Sequence, residues 1–178
     1  MQAGLNPNNE ELVVLTDEHG NDCGLMPKME AHQKGLLHKA ISVMLYNSLG
    51  ETLIQQRADN KYHWPGIWSN TCCSHPRAGE SFSDAAHRRL REELNIEVPL
   101  IEQLTFIYKA TDPQTGLTEY EYDKVFRGQY DGPVNFNHQE VKSVRWISPE
   151  KLKKEMAEHP QRFSFWFGII LEKIELRS

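Results

Sequence analysis

Cys73 and His75 stand two residues apart in Asn70-Thr-Cys-Cys-Ser-His-Pro76, where the proline fixes the exit of the chain. On a β-strand such neighbours share a face, so a thiol and an imidazole can enter one cavity. Glu119 and Glu121 repeat the spacing in Thr118-Glu-Tyr-Glu-Tyr122. His32, His38 and His75 with these two carboxylates form a donor set suited to Zn²⁺, Mn²⁺ or Mg²⁺, imidazole favouring borderline ions and carboxylate harder ones. The spacing is not that of a zinc finger, and the same residues would otherwise be polar surface groups of two loops and a strand. Adjacent strand residues face opposite ways, which sends one of Cys72 and Cys73 to the core and the other to a cavity. A free buried cysteine commonly serves as a small hydrophobe, a role that suits Cys72. A nearby cation or metal would lower the pKa of Cys73.

Lys28, Arg57, Lys61 and Arg89 are scattered in sequence, and singly each reads as a solvated charge. Beside a metal site they suggest a diphosphate, which guanidinium forks and ammonium points recognise. Trp64, Trp68, Phe163, Phe165, Trp166 and Phe167 read mainly as core. Trp166 has a second reading, an indole face lining a pocket and stabilising a transient cation.

The elements that must position these groups follow from periodicity. Strands are expected at Leu12–Thr16, with a turn at 17–20, and at Leu104–Ala110, Leu117–Phe126 and Val141–Ile147. Ala40–Tyr46 and Thr52–Gln56 read as a hairpin closed by Asn47-Ser-Leu-Gly50. In the strand at 117–126, Glu119, Glu121 and Asp123 share one face and Tyr120 and Tyr122 the other. Residues 27–38 read as a loop, and 62–77 as irregular strand and loop. Phe82, Ala86, Leu90 and Leu94 form the stripe of a helix over 81–94, with a capping box at Ser81 and Asn95 at its left-handed end. Arg89 and Glu93 are i, i+4 neighbours on it. Ser148-Pro149 opens a helix to about Glu158, and a last one covers Phe165–Leu176. Together these predict an α/β (α+β) architecture, a mixed sheet packed by helices.

At 178 residues the chain reads as one domain, with 1–10 a flexible N-terminal segment. A net charge of −5 with dispersed Lys and Arg offers no basic stripe for nucleic acid. The three cysteines make a poor disulfide framework and fit a reducing cytosol. The N-terminus lacks the pattern of a signal peptide, and the apolar run near Phe165–Leu171 is too short to span a bilayer. The expectation is a soluble cytoplasmic protein with no nucleic-acid or membrane partner.

From Ser74, the pattern Ser74-x5-Glu80-x7-Arg88-Arg89-Leu90-x-Glu92-Glu93-x-Asn95-Ile96 resembles a degenerate Nudix box. Ser74 and Asn95 replace glycines, and Arg89 replaces the middle Glu that hydrolases of that superfamily use to hold Mg²⁺. With Trp64-Pro-Gly-Ile-Trp68, Asn70–Pro76, Tyr108-Lys-Ala-Thr-Asp-Pro113 and Glu119-Tyr-Glu121 in order, the chain resembles the type I isopentenyl-diphosphate isomerases from about Lys28 to Trp166. The resemblance implies a Nudix-like mixed sheet sandwiched between helices.

It also implies a divalent metal (Mn²⁺, Zn²⁺ or Mg²⁺) at His32, His38, His75, Glu119 and Glu121, with Cys73 beside it. Glu93 would help a Mg²⁺ that arrives with the substrate diphosphate. Cys73 and Glu121 would be acid/base groups on opposite faces of the substrate, in either order, with Tyr108 assisting Glu121. Lys28, Arg57, Lys61, Arg89 and Ser74 would contact the diphosphate, and Trp166 would face the carbocation. The implied reaction interconverts isopentenyl and dimethylallyl diphosphates, in a monomer or a weak homodimer. A Nudix-type diphosphate hydrolase is the alternative, and a metal-stabilised interaction module without catalysis a third reading.

Overall fold

The computed structural model describes residues 10–61 and 63–175. The N-terminal segment through residue 9, expected to be flexible, and Leu176 of the last expected helix lie outside them. Among the described residues nine strands form one curled mixed sheet, and four α-helices pack on it. The order begins with β1 (Leu12–Thr16), β2 (Asp22–Pro27), α1 (Lys28–Lys34), β3 (His38–Tyr46) and β4 (Thr52–Arg57). Two short strands follow, β5 (Trp68–Ser69) and β6 (Cys72–Ser74), then α2 (Phe82–Leu94). The long hairpin β7 (Ile101–Thr111) and β8 (Thr118–Gln129) precedes β9 (Val141–Ile147), α3 (Pro149–Glu158) and α4 (Phe165–Glu175).

β3 is the organising strand. It runs parallel to β8 from His38↔Glu121 to Tyr46↔Gln129, and antiparallel to β6, where Ser42 faces Cys73. The expected hairpin of β3 with β4 exists only at its closing rung, Tyr46↔Thr52. Beyond that rung β4 leaves to pair with β9 and β5. This divergence opens the sheet and makes room for β6.

Alternation along β3 explains the two cores. Ile41, Val43 and Leu45 project to the face covered by α2, where Ala86, Leu90 and Leu94 are fully buried. Met44 projects to the other face, where Leu152, Trp166, Phe167 and Ile170 of α3 and α4 lie. The sheet is therefore sandwiched between helices, as expected. Cys72 belongs to the first core and Cys73 packs against the second, so the adjacent thiols point opposite ways. Each fully buried Leu of α2 contributes about 1.5–3 kcal/mol by leaving water.

Helix α2 starts where Ser81 Oγ accepts from the Asp84 N–H at 3.0 Å, and stops at Asn95, whose φ of 53° is left-handed. Ser148 caps α3 in the same way. A second expectation is corrected: residues 28–34 form α1 rather than part of a loop. Burial of Ala31 and His32 holds this short helix to the sheet, and Gly35 closes it at φ 61°. A Cβ at Gly35 would stand 3.4 Å from Thr118 Cγ2, an ordinary contact, so the left-handed φ rather than lack of space favours glycine here.

Candidate active site

β8 delivers the two central carboxylates. Its alternation buries Glu119, Glu121 and Asp123 and leaves Tyr120 and Tyr122 half-buried on the opposite face. Pairing on both sides places the partners of Glu121: His38 lies beside it on β3 and Tyr108 opposite it on β7. α1 supplies His32, and the chain leaving β6 supplies His75. One ligand atom from each of His32, His38, His75, Glu119 and Glu121 lies within 4.8 Å of the others, and all five residues are buried.

The orientation of these groups suits a cation. The His38 Nδ1–H donates to the Leu36 carbonyl at 2.8 Å, which leaves the Nε2 lone pair directed at the cluster. That Nε2 stands 3.6 Å from Glu121 Oε1, beyond hydrogen-bonding distance. His75 Nε2 lies 3.1 Å from the same oxygen, and His32 Nε2 lies 3.2 Å from Glu119 Oε2. Tyr108 donates to Glu121 Oε2 at 2.9 Å. Each oxygen of Glu121 therefore has its own task, Oε1 toward the imidazoles and Oε2 toward the phenol.

Burial pushes the Glu121 carboxyl up to about 7, and the neighbouring Glu119 charge adds to it. Burial also raises Glu119, but hydrogen bonds from Glu121, His32 and His63 outweigh it and hold that carboxylate well below its usual range. Two carboxylates of one strand face are thus driven apart. Tyr108 is raised well above its ordinary value by burial and by Glu121. Burial lowers the His75 pKa well below its ordinary range, and Lys28 lowers it further. For Cys73 the expected lowering by a nearby cation is outweighed: burial pushes the thiol up to about 12 against the pull of Arg57.

One cavity opens onto these groups. Its wall includes Cys73, Ser74, His75, Tyr108, Glu119, Glu121 and Trp166, with the cations Lys28, Arg57, Lys61 and Arg89 and the carboxylate Glu93. His32 and His38 lie behind this wall, in the ligand cluster. Cys73 and Glu93 share the cavity without belonging to the five-residue group.

Glu93 accepts from Arg89 at 2.5 Å and from Gln55 Nε2 at 2.7 Å. The cations are held by acids: Lys28 by Glu11 at 3.1 Å, Lys61 by Glu140, and Arg89 also by Glu140 at 3.4 Å. Arg57 instead donates to the carbonyls of Trp64 and His63, at 3.1 and 3.0 Å, and lies over the Trp166 ring.

Sequence reasoning missed Gln55, His63, Glu11 and Glu140. Each reaches the cavity through strand pairing or loop folding. Asn70, inside the Asn70–Pro76 motif, supports the cavity wall by accepting from the Trp166 indole at 3.2 Å.

The NUDIX domain model matches residues 36–167. Isopentenyl-diphosphate Delta-isomerase 2 of Photorhabdus laumondii is 43% identical over 169 residues, 95% of each chain. The protein of the same name from Aromatoleum aromaticum is 42% identical over 165 residues, 93% of this chain and 87% of its own. The chain belongs to the isopentenyl-diphosphate Delta-isomerase family, within the NUDIX fold. A crystal structure from Deinococcus radiodurans shares that fold, with a TM-score of 0.69 at 22% identity, covering 83% of this chain and 90% of the other.

Membership gives the broken box a structural meaning. Arg88 holds Glu80 with two bonds, of 2.6 and 2.8 Å, and reaches the His75 carbonyl at 3.3 Å. The helix thus braces the strand exit that carries His75. Arg89, where a middle Glu would stand, pairs with Glu92 and Glu93.

Proposed function

We propose that this chain interconverts isopentenyl and dimethylallyl diphosphates by proton addition and removal, leaving the diphosphate intact. The carrying observation is that Cys73 and Glu121, with Tyr108 on the Glu121 Oε2, line one cavity together with four cations. An unactivated alkene is a weak base, so its protonation needs a positioned acid in a site that excludes water. Glu121 donates from Oε2, where Tyr108 stabilises the carboxylate left behind. The tertiary cation lies against the Trp166 indole. Cys73 removes the neighbouring proton from the other side, and its high proton affinity makes the thiolate a strong base. The reaction needs the proton on Glu121 and the sulfur ionised when substrate is bound. Burial holds the thiol protonated in the free site, so the ionised sulfur forms only with substrate in place, where the pull of Arg57 favours it. In the reverse reaction the two groups exchange roles.

Lys28, Arg57, Lys61, Arg89 and Ser74 hold the diphosphate, each acid-paired cation exchanging its carboxylate for phosphate oxygens. His32, His38, His75, Glu119 and Glu121 would hold a divalent ion, Mn²⁺, Zn²⁺ or Mg²⁺, with Cys73 at its edge, and Glu93 would serve a Mg²⁺ carried in by the substrate. The former ion would fix Glu121 and tune its acidity. Free thiols at Cys23, Cys72 and Cys73 support a cytoplasmic setting, and we infer a monomer or weak homodimer with no nucleic-acid or membrane partner.

Hydrolysis is disfavoured because Arg89 occupies the carboxylate position and neutralises Glu93. The test is incubation with Mg²⁺ and isopentenyl diphosphate in D₂O. Deuterium appears in dimethylallyl diphosphate, and Cys73→Ala and Glu121→Gln abolish it. Release of phosphate or pyrophosphate without isomerisation would overturn the reading.

A further inference from the structure

His63 is not one of the five clustered ligands, yet it is as buried as they are, with 4% of its surface exposed. Its Nε2 contacts Glu119 Oε1, the oxygen turned away from His32. Its ring stacks on that of His32, with centroids 4.8 Å apart and planes 12° from parallel. Trp64 meets the ring edge-on from another side at 6.0 Å, and itself meets Trp166 edge-on at 6.2 Å. The backbone here is held in a costly shape. Trp64 has φ 51°, a left-handed value disfavoured for a bulky residue, and Arg57 clamps the carbonyls of both His63 and Trp64. A strained, clamped turn that delivers one imidazole to one carboxylate oxygen calls for a reason.

We propose that His63 is a positioning residue of the metal site: it engages Glu119 Oε1, so that the carboxylate presents Oε2 alone to the divalent ion. A carboxylate free at both oxygens can rotate and chelate through either or both. Engaging one oxygen fixes the rotation and limits Glu119 to a single ligand atom. The stack on His32 steadies a second ligand through the same ring. Partners of this kind orient ligands, and their loss typically weakens metal binding about 10–100-fold. The inference rests on the assignment of the His/Glu cluster to a metal and is independent of which reaction the cavity performs.

The experiment titrates Mn²⁺ into the full chain, His63→Ala and His63→Gln, following free Mn²⁺ by electron paramagnetic resonance, with thermal unfolding in EDTA alongside. The Gln amide places a donor near the position of imidazole Nε2 but cannot stack as a ring. His63→Ala is expected to weaken Mn²⁺ binding about 10–100-fold and His63→Gln to recover most of it, with similar unfolding temperatures in EDTA. Affinity within twofold of the parent in His63→Ala overturns the proposal. So does equal weakening in both variants, which would make the ring's packing the cause. A parent chain that binds no Mn²⁺ removes the metal site and the proposal with it. Deuterium incorporation without any His63 effect on affinity would sink this inference while leaving the isomerase reading intact.

Discussion

Replacing Asn70 by Ala probes how the cavity wall is held together. Asn70 is fully buried and uses its whole amide. Its Nδ2 donates to the carbonyls of Val43 and Cys72, at 3.2 and 2.8 Å, and its Oδ1 accepts from Ser69 Oγ at 2.9 Å and from the Trp166 indole at 3.2 Å. One side chain thereby ties β3, β6 and α4 around the groups assigned to the chemistry. Ser69 keeps the Ser164 hydroxyl, 2.8 Å away, so its loss is small. The buried indole N–H loses this acceptor at about 1–3 kcal/mol, and each bond to a carbonyl adds about 1 kcal/mol.

Asn70→Ala should therefore destabilise the fold by about 3–5 kcal/mol. For a chain of this size that corresponds to a melting temperature about 6–20 °C lower. Urea unfolding followed by circular dichroism measures the change directly, provided the slope against denaturant is the same in both proteins. Asn70→Asp should be at least as damaging, because a carboxylate oxygen would replace the amide that faces two carbonyl oxygens. A loss below about 1 kcal/mol in Asn70→Ala, or a neutral Asn70→Asp, would refute this account of the wall.

Two further outcomes follow from the same geometry. Tyr108→Phe deletes the hydrogen bond to Glu121 Oε2, and bonds to charged groups contribute about 1.5–3 kcal/mol. The isomerisation kcat should fall about 10–150-fold with little change in metal affinity, and a fall below threefold would remove Tyr108 from the mechanism. Glu80 tests the electrostatics of the box: burial raises its carboxyl, but Arg88 and the Arg77 N–H outweigh that and lower it below 4.5. A depressed folded value means that the unfolded chain binds the proton more readily, so this stabilisation is present above pH 4.5 and disappears as pH falls through the folded value. The stability gap between the parent and Glu80→Gln should narrow as pH falls below 4.5, and a gap that does not narrow in urea titrations on the acid side would contradict the pairing.

Much of the site was legible because strand and helix periods are local. Glu119, Glu121 and Asp123 had to share a face, Cys72 and Cys73 had to diverge, and Arg89 had to meet Glu93, whatever the rest of the chain did. Ser81, Asn95 and Ser148 marked their helix ends by their own chemistry. Helix α1 escaped because its seven residues show too little of the helical period and its stability comes from packing Ala31 and His32 on the sheet. The hairpin reading of β3 and β4 failed beyond its turn because β9 and β5 compete for β4.

Residue types and short spacings thus determined the family, the carboxylate face, the thiol and the cations. Which strand lies beside which was decided in three dimensions, since pairing depends on burying two faces of one sheet at once. The parallel register that sets His38 beside Glu121, and the clamped turn that brings His63 to Glu119, join residues 83 and 56 positions apart. No local period reaches that far; the packing of the whole sheet fixes those contacts.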